Sequence, residues 1–138
     1  MDMPRYEAGV PTGRTKVKFL LAMAPTILLV VYGQLVTKWR VAFVLQENTP
    51  SGGRLEKLLQ YLTDPYILSA YGCVFLSSIA WMFVVERYPL SQSFPVYIGI
   101  TFCLVTLGSA MMFGENITTL RWISIALIGF GVALGSQA

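Results

Sequence analysis

The stretch PYILSAYGCVFLSSIAWMFVV, residues 65–85, decides the fold, because it runs for 21 residues without a charged side chain. A helix needs about 20 mainly apolar residues, within a range of roughly 17 to 25, to cross the hydrocarbon core of a bilayer. The run is continuously apolar and does not alternate between apolar and polar residues, so it indicates a helix and not a strand of a membrane barrel. We therefore predict a membrane-spanning helix over these residues.

Three further charge-free runs have a comparable length, and they cover residues 19–37, 88–114 and 122–138. The chain of 138 residues is 55% hydrophobic and only 12% charged, whereas soluble domains have about 25% charged residues. The fold class that follows is an all-α integral membrane protein with four transmembrane helices. We place the four spans at about 17–40, 65–85, 91–113 and 120–136.

The segments outside the spans predict a tail and a short surface helix. Residues 1–16 contain several Pro and Gly residues and predict a flexible N-terminal tail, which leaves residues 17–138 for the four-helix domain. In RLEKLLQYL, residues 54–62, four leucines recur with helical spacing. We predict an amphipathic helix at the membrane interface, or alternatively a helix packed on the mouth of the bundle. Asp64 and Pro65 predict the start of the next span, because Asp caps helices and Pro is tolerated at the first helical position.

The residue types that are missing exclude several kinds of site. The chain has no histidine, and its two cysteines, Cys73 and Cys103, both fall inside predicted spans. Ser/His/Asp and Cys/His arrangements are therefore impossible, and the commonest metal ligand is missing. We expect the cysteines to be small apolar packing residues, and we expect no enzyme, no metal and no cofactor. Basic residues flank the spans, so the net charge of +3 predicts contact with lipid phosphates and no nucleic-acid partner.

Lys and Arg residues close to the spans normally orient a membrane protein. With four spans, the two sides carry five such residues each, namely Arg5, Arg14, Lys16, Lys18 and Arg87 on one side and Lys38, Arg40, Arg54, Lys57 and Arg121 on the other. This tie does not orient the chain, and it is compatible with insertion in both directions.

Two polar residues interrupt the first span. Gln34 and Lys38 are four residues apart, so they share one face of the helix. Because a lysine at the centre of a transmembrane helix costs roughly 2.5 to 3.5 kcal/mol on the insertion scale, we predict that the pair lines a cavity and binds an anionic headgroup. Lysine suits phosphate as a point charge, and Arg40 is a second cation nearby. Alternatively, Lys38 only reaches the headgroup layer by snorkelling.

An ordered set of motifs in the second half resembles a known family. Pro95 lies early in the third span, GE at 114–115 ends it, and an Arg-Trp pair at 121–122 precedes a Gly-rich last span. Together with GQLVTK at 33–38, this order resembles the four-helix members of the drug/metabolite transporter superfamily called aminoarabinose-phosphoundecaprenol flippase subunits (ArnE/ArnF-like). These are relatives of the small multidrug resistance proteins. The resemblance covers about residues 19–136.

The resemblance implies a function and partners. It implies a multi-pass protein of the bacterial inner membrane that flips a polyprenyl-phosphate-linked sugar. It also implies that the partners are membrane lipid and the lipid-linked sugar, and that the protein is a homodimer or a heterodimer with a related four-helix subunit. Two alternatives stay open, namely a small multidrug or metabolite exporter of the same superfamily and a non-transporting accessory subunit of a glycosyltransferase or glycan-export system. Small multidrug exporters have a carboxylate in their first helix, and residues 17–45 contain none.

Further site residues follow from these motifs. A bend at Pro95 would bring Ser93 and Tyr97 to the substrate path; alternatively, the two residues cap the helix at the interface. Glu115 either contacts Arg121 across the turn or binds an amino sugar. Small residues let transmembrane helices approach closely. We therefore predict a dimer interface on the last helix at Gly129, Gly131 and Gly135. Alternatively, these glycines pack inside the monomer.

Overall fold

The computed structural model describes residues 13–46 and 53–135, and these ranges form helices joined by short turns. Helix α1 covers Gly13–Trp39 and continues as a π-helix over Arg40–Val44. Four more helices follow, α2 at Arg54–Thr63, α3 at Pro65–Arg87, α4 at Leu90–Phe113 and α5 at Thr119–Gly135. The all-α prediction is confirmed. The last four residues of the predicted tail, 13–16, belong to α1; residues 1–12 lie outside the described ranges, so the tail itself stays a prediction.

Three helices in the described ranges are long and apolar enough to cross a membrane, and they are α1 with its π-helix, α3 and α4. Helix α5 is apolar too, but it has only 17 residues. It therefore rises about 26 Å, which is at the lower limit of what a span requires. The structure thus supports a multi-pass membrane protein with three long helices and one shorter apolar helix.

Local chemistry sets several helix boundaries. The Asp64 side chain accepts hydrogen bonds from the backbone N–H groups of Tyr66 and Ile67, so it caps α3 as predicted, and Pro65 takes the first helical position. Helix α4 ends at Phe113, and the next residue, Gly114, has a φ of 64°, in the left-handed region that glycine adopts without strain. The π-helix is closed by a hydrogen bond of 2.8 Å from the Leu45 N–H to the Arg40 carbonyl, the wider spacing of this rare helix.

The helices alternate in direction and so create two ends. Helix α3 runs back along α1: the ring of Phe19, early in α1, contacts that of Tyr88 just after α3, and Trp39 at the end of α1 contacts Tyr66 at the start of α3. Helix α4 runs parallel to α1, with Gly108 against Leu35. Helix α5 returns along α4. One end, the Lys16 end, holds the start of α1 and α4 and the end of α3 and α5; the other, the Lys38 end, holds the opposite termini, the π-helix and α2.

The buried core is small and lies towards the Lys16 end. It consists of Phe19, Met23, Ile27, Val84 and Val96. Most other large apolar side chains of the described helices are exposed, as expected of helices whose solvent is lipid. The four leucines of α2 are also exposed, so this helix does not use its apolar stripe to pack on the bundle. Its place at the membrane interface remains a prediction.

Candidate functional site

The Lys38 end brings together a cation, an acid and a hydroxyl from distant parts of the chain. Lys38 of α1 donates a hydrogen bond to Oε1 of Glu115, and the hydroxyl of Ser109 donates to Oε2 of the same carboxylate. The turn at Gly114 positions Glu115 beside Lys38, because α4 runs parallel to α1 and ends next to it. The Lys38 ammonium also lies 5.6 Å from the centre of the Phe113 ring.

A second ion pair lies at the same end and is less accessible. The Arg40 guanidinium donates from Nη2 to Oδ2 of Asp64 at 2.6 Å, and from Nε to both carboxylate oxygens at 3.0 and 3.1 Å. Its guanidinium carbon lies 4.6 Å from the centre of the Tyr66 ring. The two side chains are only 18% and 6% exposed. Arg40 is therefore paired within the chain, and its predicted role as a second cation for an anionic headgroup stays a prediction.

The Lys38–Glu115 pair is more accessible. Its side chains are 41% and 35% exposed, against 18% and 6% in the Arg40–Asp64 pair. Ion pairs at this exposure gain little over separate solvated charges. The Arg40–Asp64 pair is more enclosed, so the loss of one of its partners would cost more.

The carboxyl groups of the two ion pairs lie outside the long helices and carry negative charge at neutral pH. The hydrogen bonds from Arg40 lower the pKa of Asp64, and the backbone N–H groups of Ile67 and Tyr66 lower it further. The hydrogen bond from Lys38 lowers the pKa of Glu115, followed by that from Ser109. Arg121 also lowers the Glu115 pKa, but through space and not by a hydrogen bond. The hydrogen bonds of the Glu115 side chain go to Lys38 and Ser109, so the predicted attraction between Glu115 and Arg121 acts only through space.

The six predicted substrate-binding residues do not form one cluster. Gln34 is exposed on α1 one helical turn before Lys38. Ser93 is fully buried at the other end of α4, where its hydroxyl donates to the Pro89 carbonyl at 3.0 Å. It lies 20 residues before the end of α4, which corresponds to about 30 Å along the helix axis.

Tyr97 belongs to the Lys16 end as well. Its ring is half-buried and lies 5.1 Å from that of Trp81 and 6.5 Å from that of Phe94, measured between ring centres. The structure thus groups Tyr97 with Ser93 and separates both from Lys38 and Glu115. Whether either residue contacts a substrate stays a prediction.

Sequence reasoning missed two partners in the cluster. Ser109 carries no local signal of its role, because a serine inside an apolar helix normally bonds its own backbone. Asp64 was recognised as a helix cap, but its pairing with Arg40 depends on the antiparallel packing of α1 and α3. Among the described residues no group of three His, Cys, Asp or Glu side chains lies close enough to hold a metal ion. Both cysteines are free thiols and half-buried.

The three glycines of α5 do not share one face. Residues 129 and 131 are two apart, and the helix turns about 100° per residue, so they lie on opposite flanks. A Cβ atom at Gly129, Gly131 or Gly135 would meet no other atom within 4 Å. The alternative that they pack inside the monomer is therefore wrong. Their place in a dimer interface stays a prediction.

Comparison with known proteins gives the family. No family model matches the chain, and no solved structure matches it significantly. The chain is 30% identical to a protein of Pseudomonas savastanoi pv. phaseolicola over 119 residues, which is 86% of this chain and 97% of the relative. A protein of Yersinia pestis is 30% identical over 87 residues, 63% of this chain and 71% of the relative. Both are named probable 4-amino-4-deoxy-L-arabinose-phosphoundecaprenol flippase subunit ArnE. The chain therefore belongs to the family of ArnE flippase subunits, as its motifs predict.

Proposed function

We propose that this protein is a subunit of a transporter that flips a polyprenyl-phosphate-linked sugar across the inner membrane of a bacterium. The similarity to the Pseudomonas relative carries the proposal, because it extends over 97% of that flippase subunit. The long apolar helices agree with a multi-pass membrane location. The proposal includes a fourth span at α5 and a homodimer or a heterodimer with a related four-helix subunit.

The accessible Lys38–Glu115 pair supplies the chemistry that such a substrate needs. A phosphodiester carries a negative charge, and a charge entering hydrocarbon is costly unless it is paired. The phosphate competes with the Glu115 carboxylate for the Lys38 ammonium, and a lysine ammonium is a suitable point charge for it. Gln34 lies one turn before Lys38 on α1 and offers amide donors on the same face. Lys38 is thus the residue that we expect to bind the phosphate.

Copurification with native lipid tests this function. The unmodified protein, extracted with its lipid and studied by mass spectrometry, should carry a polyprenyl phosphate sugar. Lys38→Gln should lose that lipid, because it removes the cation. Glu115→Gln should keep it or bind more of it, because it frees the ammonium from its internal partner. If both variants lose the lipid equally, the pair only fastens the turn after α4, and the phosphate site is elsewhere.

A transport assay separates the flippase from an accessory subunit. The protein is reconstituted into vesicles that contain undecaprenyl phosphate linked to a sugar, and an impermeant oxidant reports the sugars on the outer surface. We expect sugars from the inner leaflet to become oxidised over time, and Lys38→Gln to slow this at least about tenfold. Binding without any movement, together with copurification of a glycosyltransferase, would contradict the transport role.

A further inference from the structure

A groove lies between α1, α4 and α5 towards the Lys16 end; Lys16 itself is about 33 Å along α1 from Lys38. Its volume is about 360 Å³, and it is open along one side. Helix α1 contributes Phe19, α4 contributes Val96 and Ile100, and α5 contributes Val132. The lining is almost wholly apolar, and no acidic residue belongs to it. It is therefore suited to hydrocarbon and offers few of the polar partners that bound water requires.

Small residues shape the floor and one wall of the groove. A Cβ atom at Gly99 would lie 2.6 Å from Cγ2 of Val132, so this glycine lets α4 and α5 touch along the floor. Gly129 and Ala133 lie along the α5 wall. A Cβ at Gly129 would meet nothing within 4 Å, so a larger side chain at this position has room to enter the groove without displacing the helices.

A cation lies at the mouth of the groove. Lys16 is exposed and is part of the lining. Within the ranges that the structure describes, this end of the bundle also carries Arg14, Lys18 and Arg87, against the single acid Glu86. An apolar channel with a cation at one end matches the shape and charge of a lipid that has a negatively charged headgroup. Each basic residue near the surface strengthens binding to such lipids.

We propose that this groove binds one hydrocarbon chain of an anionic phospholipid of the bilayer, with the phosphate at Lys16. The walls belong to α1 and α4, which are long and apolar enough to cross the membrane, and to the apolar α5. The chain of the lipid lies along Val96, Ile100 and Val132, and the headgroup stays at the end of the bundle. This site is separate from the Lys38–Glu115 pair, and the proposal does not depend on the flippase activity.

Native mass spectrometry of the purified full chain tests the site with two lipids of equal chains, dioleoyl phosphatidylglycerol and dioleoyl phosphatidylcholine. We expect the anionic lipid to be retained more strongly than the zwitterionic one. Lys16→Gln should lower retention of phosphatidylglycerol about fivefold, the effect of one cation near a membrane surface, and lower that of phosphatidylcholine less, because its choline cation offsets the phosphate charge. Lys18→Gln is the matched control, because Lys18 is exposed at the same end but does not line the groove.

Filling the groove tests the place of the hydrocarbon chain. Gly129→Leu should lower retention of both lipids, because its side chain occupies the groove. Gly72→Leu is the control, since Gly72 also has open space at its Cβ but lies on α3, away from the groove. Equal retention in Lys16→Gln and Lys18→Gln, or no loss in Gly129→Leu, overturns the proposal. So does the finding that Gly129→Leu dissociates a dimer while lipid stays bound, because a second copy of the chain then fills the groove.

Discussion

Asp64 has two kinds of partner at once, which makes it the most connected acid at the Lys38 end. Its carboxylate accepts from the Arg40 guanidinium and from the first free backbone N–H groups of α3. It therefore fastens the end of α1 to the start of α3 and caps α3. Lys38 differs, because its partner Glu115 is far more exposed. At the scale of single residues, the Arg40–Asp64 pair is enclosed and joins two helices, whereas the Lys38–Glu115 pair is more exposed.

Two substitutions of Asp64 separate its two roles. Asp64→Asn keeps an acceptor that caps helices nearly as well but loses the charge that binds Arg40. Asp64→Ala loses both, and the cap alone is worth about 1 kcal/mol. We expect the unfolding temperature in detergent to fall in the order unmodified protein, Asn variant, Ala variant. An Asn variant as stable as the unmodified protein would show that the Arg40 contact adds nothing.

The lowered pKa of Asp64 predicts a dependence on pH. Arg40 holds this pKa below its ordinary value, so the stabilisation is complete above about pH 3.9, the value of a free Asp side chain. It is lost as the pH falls through the lower pKa of the folded state. The difference in unfolding temperature between the unmodified protein and Asp64→Asn should therefore be wide at neutral pH and narrow in strong acid. Glu115 is present in both proteins, so its own acid sensitivity cancels.

At the scale of whole helices, the packing of α5 against α4 depends on Gly99. Gly99 faces Val132 so closely that a Cβ atom would have to displace the valine or the helix. The helices can approach because lipid-embedded packing favours small residues at contacts. Gly129, on the same pair of helices, faces open space instead. A side chain added at Gly99 would therefore clash with Val132, whereas one added at Gly129 would enter open space.

Gly99→Ala should weaken the docking of α5 on α4. Overpacking of this kind costs roughly 1–3 kcal/mol, and we expect it as a lower unfolding temperature. The double variant Gly99→Ala with Val132→Ala should regain most of that loss, since it removes the atom that the new methyl group meets. Gly72→Ala, at an open position, is the control. A double variant no more stable than Gly99→Ala alone would argue against this contact.

The number of spans decides the shape of the whole molecule. Three long helices alone would place the two ends of the chain on opposite sides of the membrane, whereas a fourth span at α5 places them on the same side. We expect reporters fused before α1 and after α5 to be active in the same compartment. Activity in opposite compartments would mean that α5 does not cross.

Dimer formation belongs to the same scale. Because Gly129 and Gly131 lie on opposite flanks of α5, an interface can centre on only one of them. We predict the flank of Gly131, since the other flank borders the lipid groove. Crosslinking in membranes should show that Gly131→Leu reduces the dimer and that Gly129→Leu preserves it. The reverse result would move the interface to the groove.

The sequence by itself determined the all-α class, the apolar helices and the cap at Asp64, because these depend on composition and on neighbours along the chain. Helix length alone also separates Ser93 from Glu115, although the motifs predict that both residues bind the substrate. Only the tertiary structure decided that Glu115 pairs with Lys38, 77 residues away, and not with Arg121, and that Arg40 is occupied by Asp64. The physical reason is that an ion pair forms between charges that the packing of α1 against α3 and α4 brings together. The residue pattern of one helix does not specify which helices pack against it.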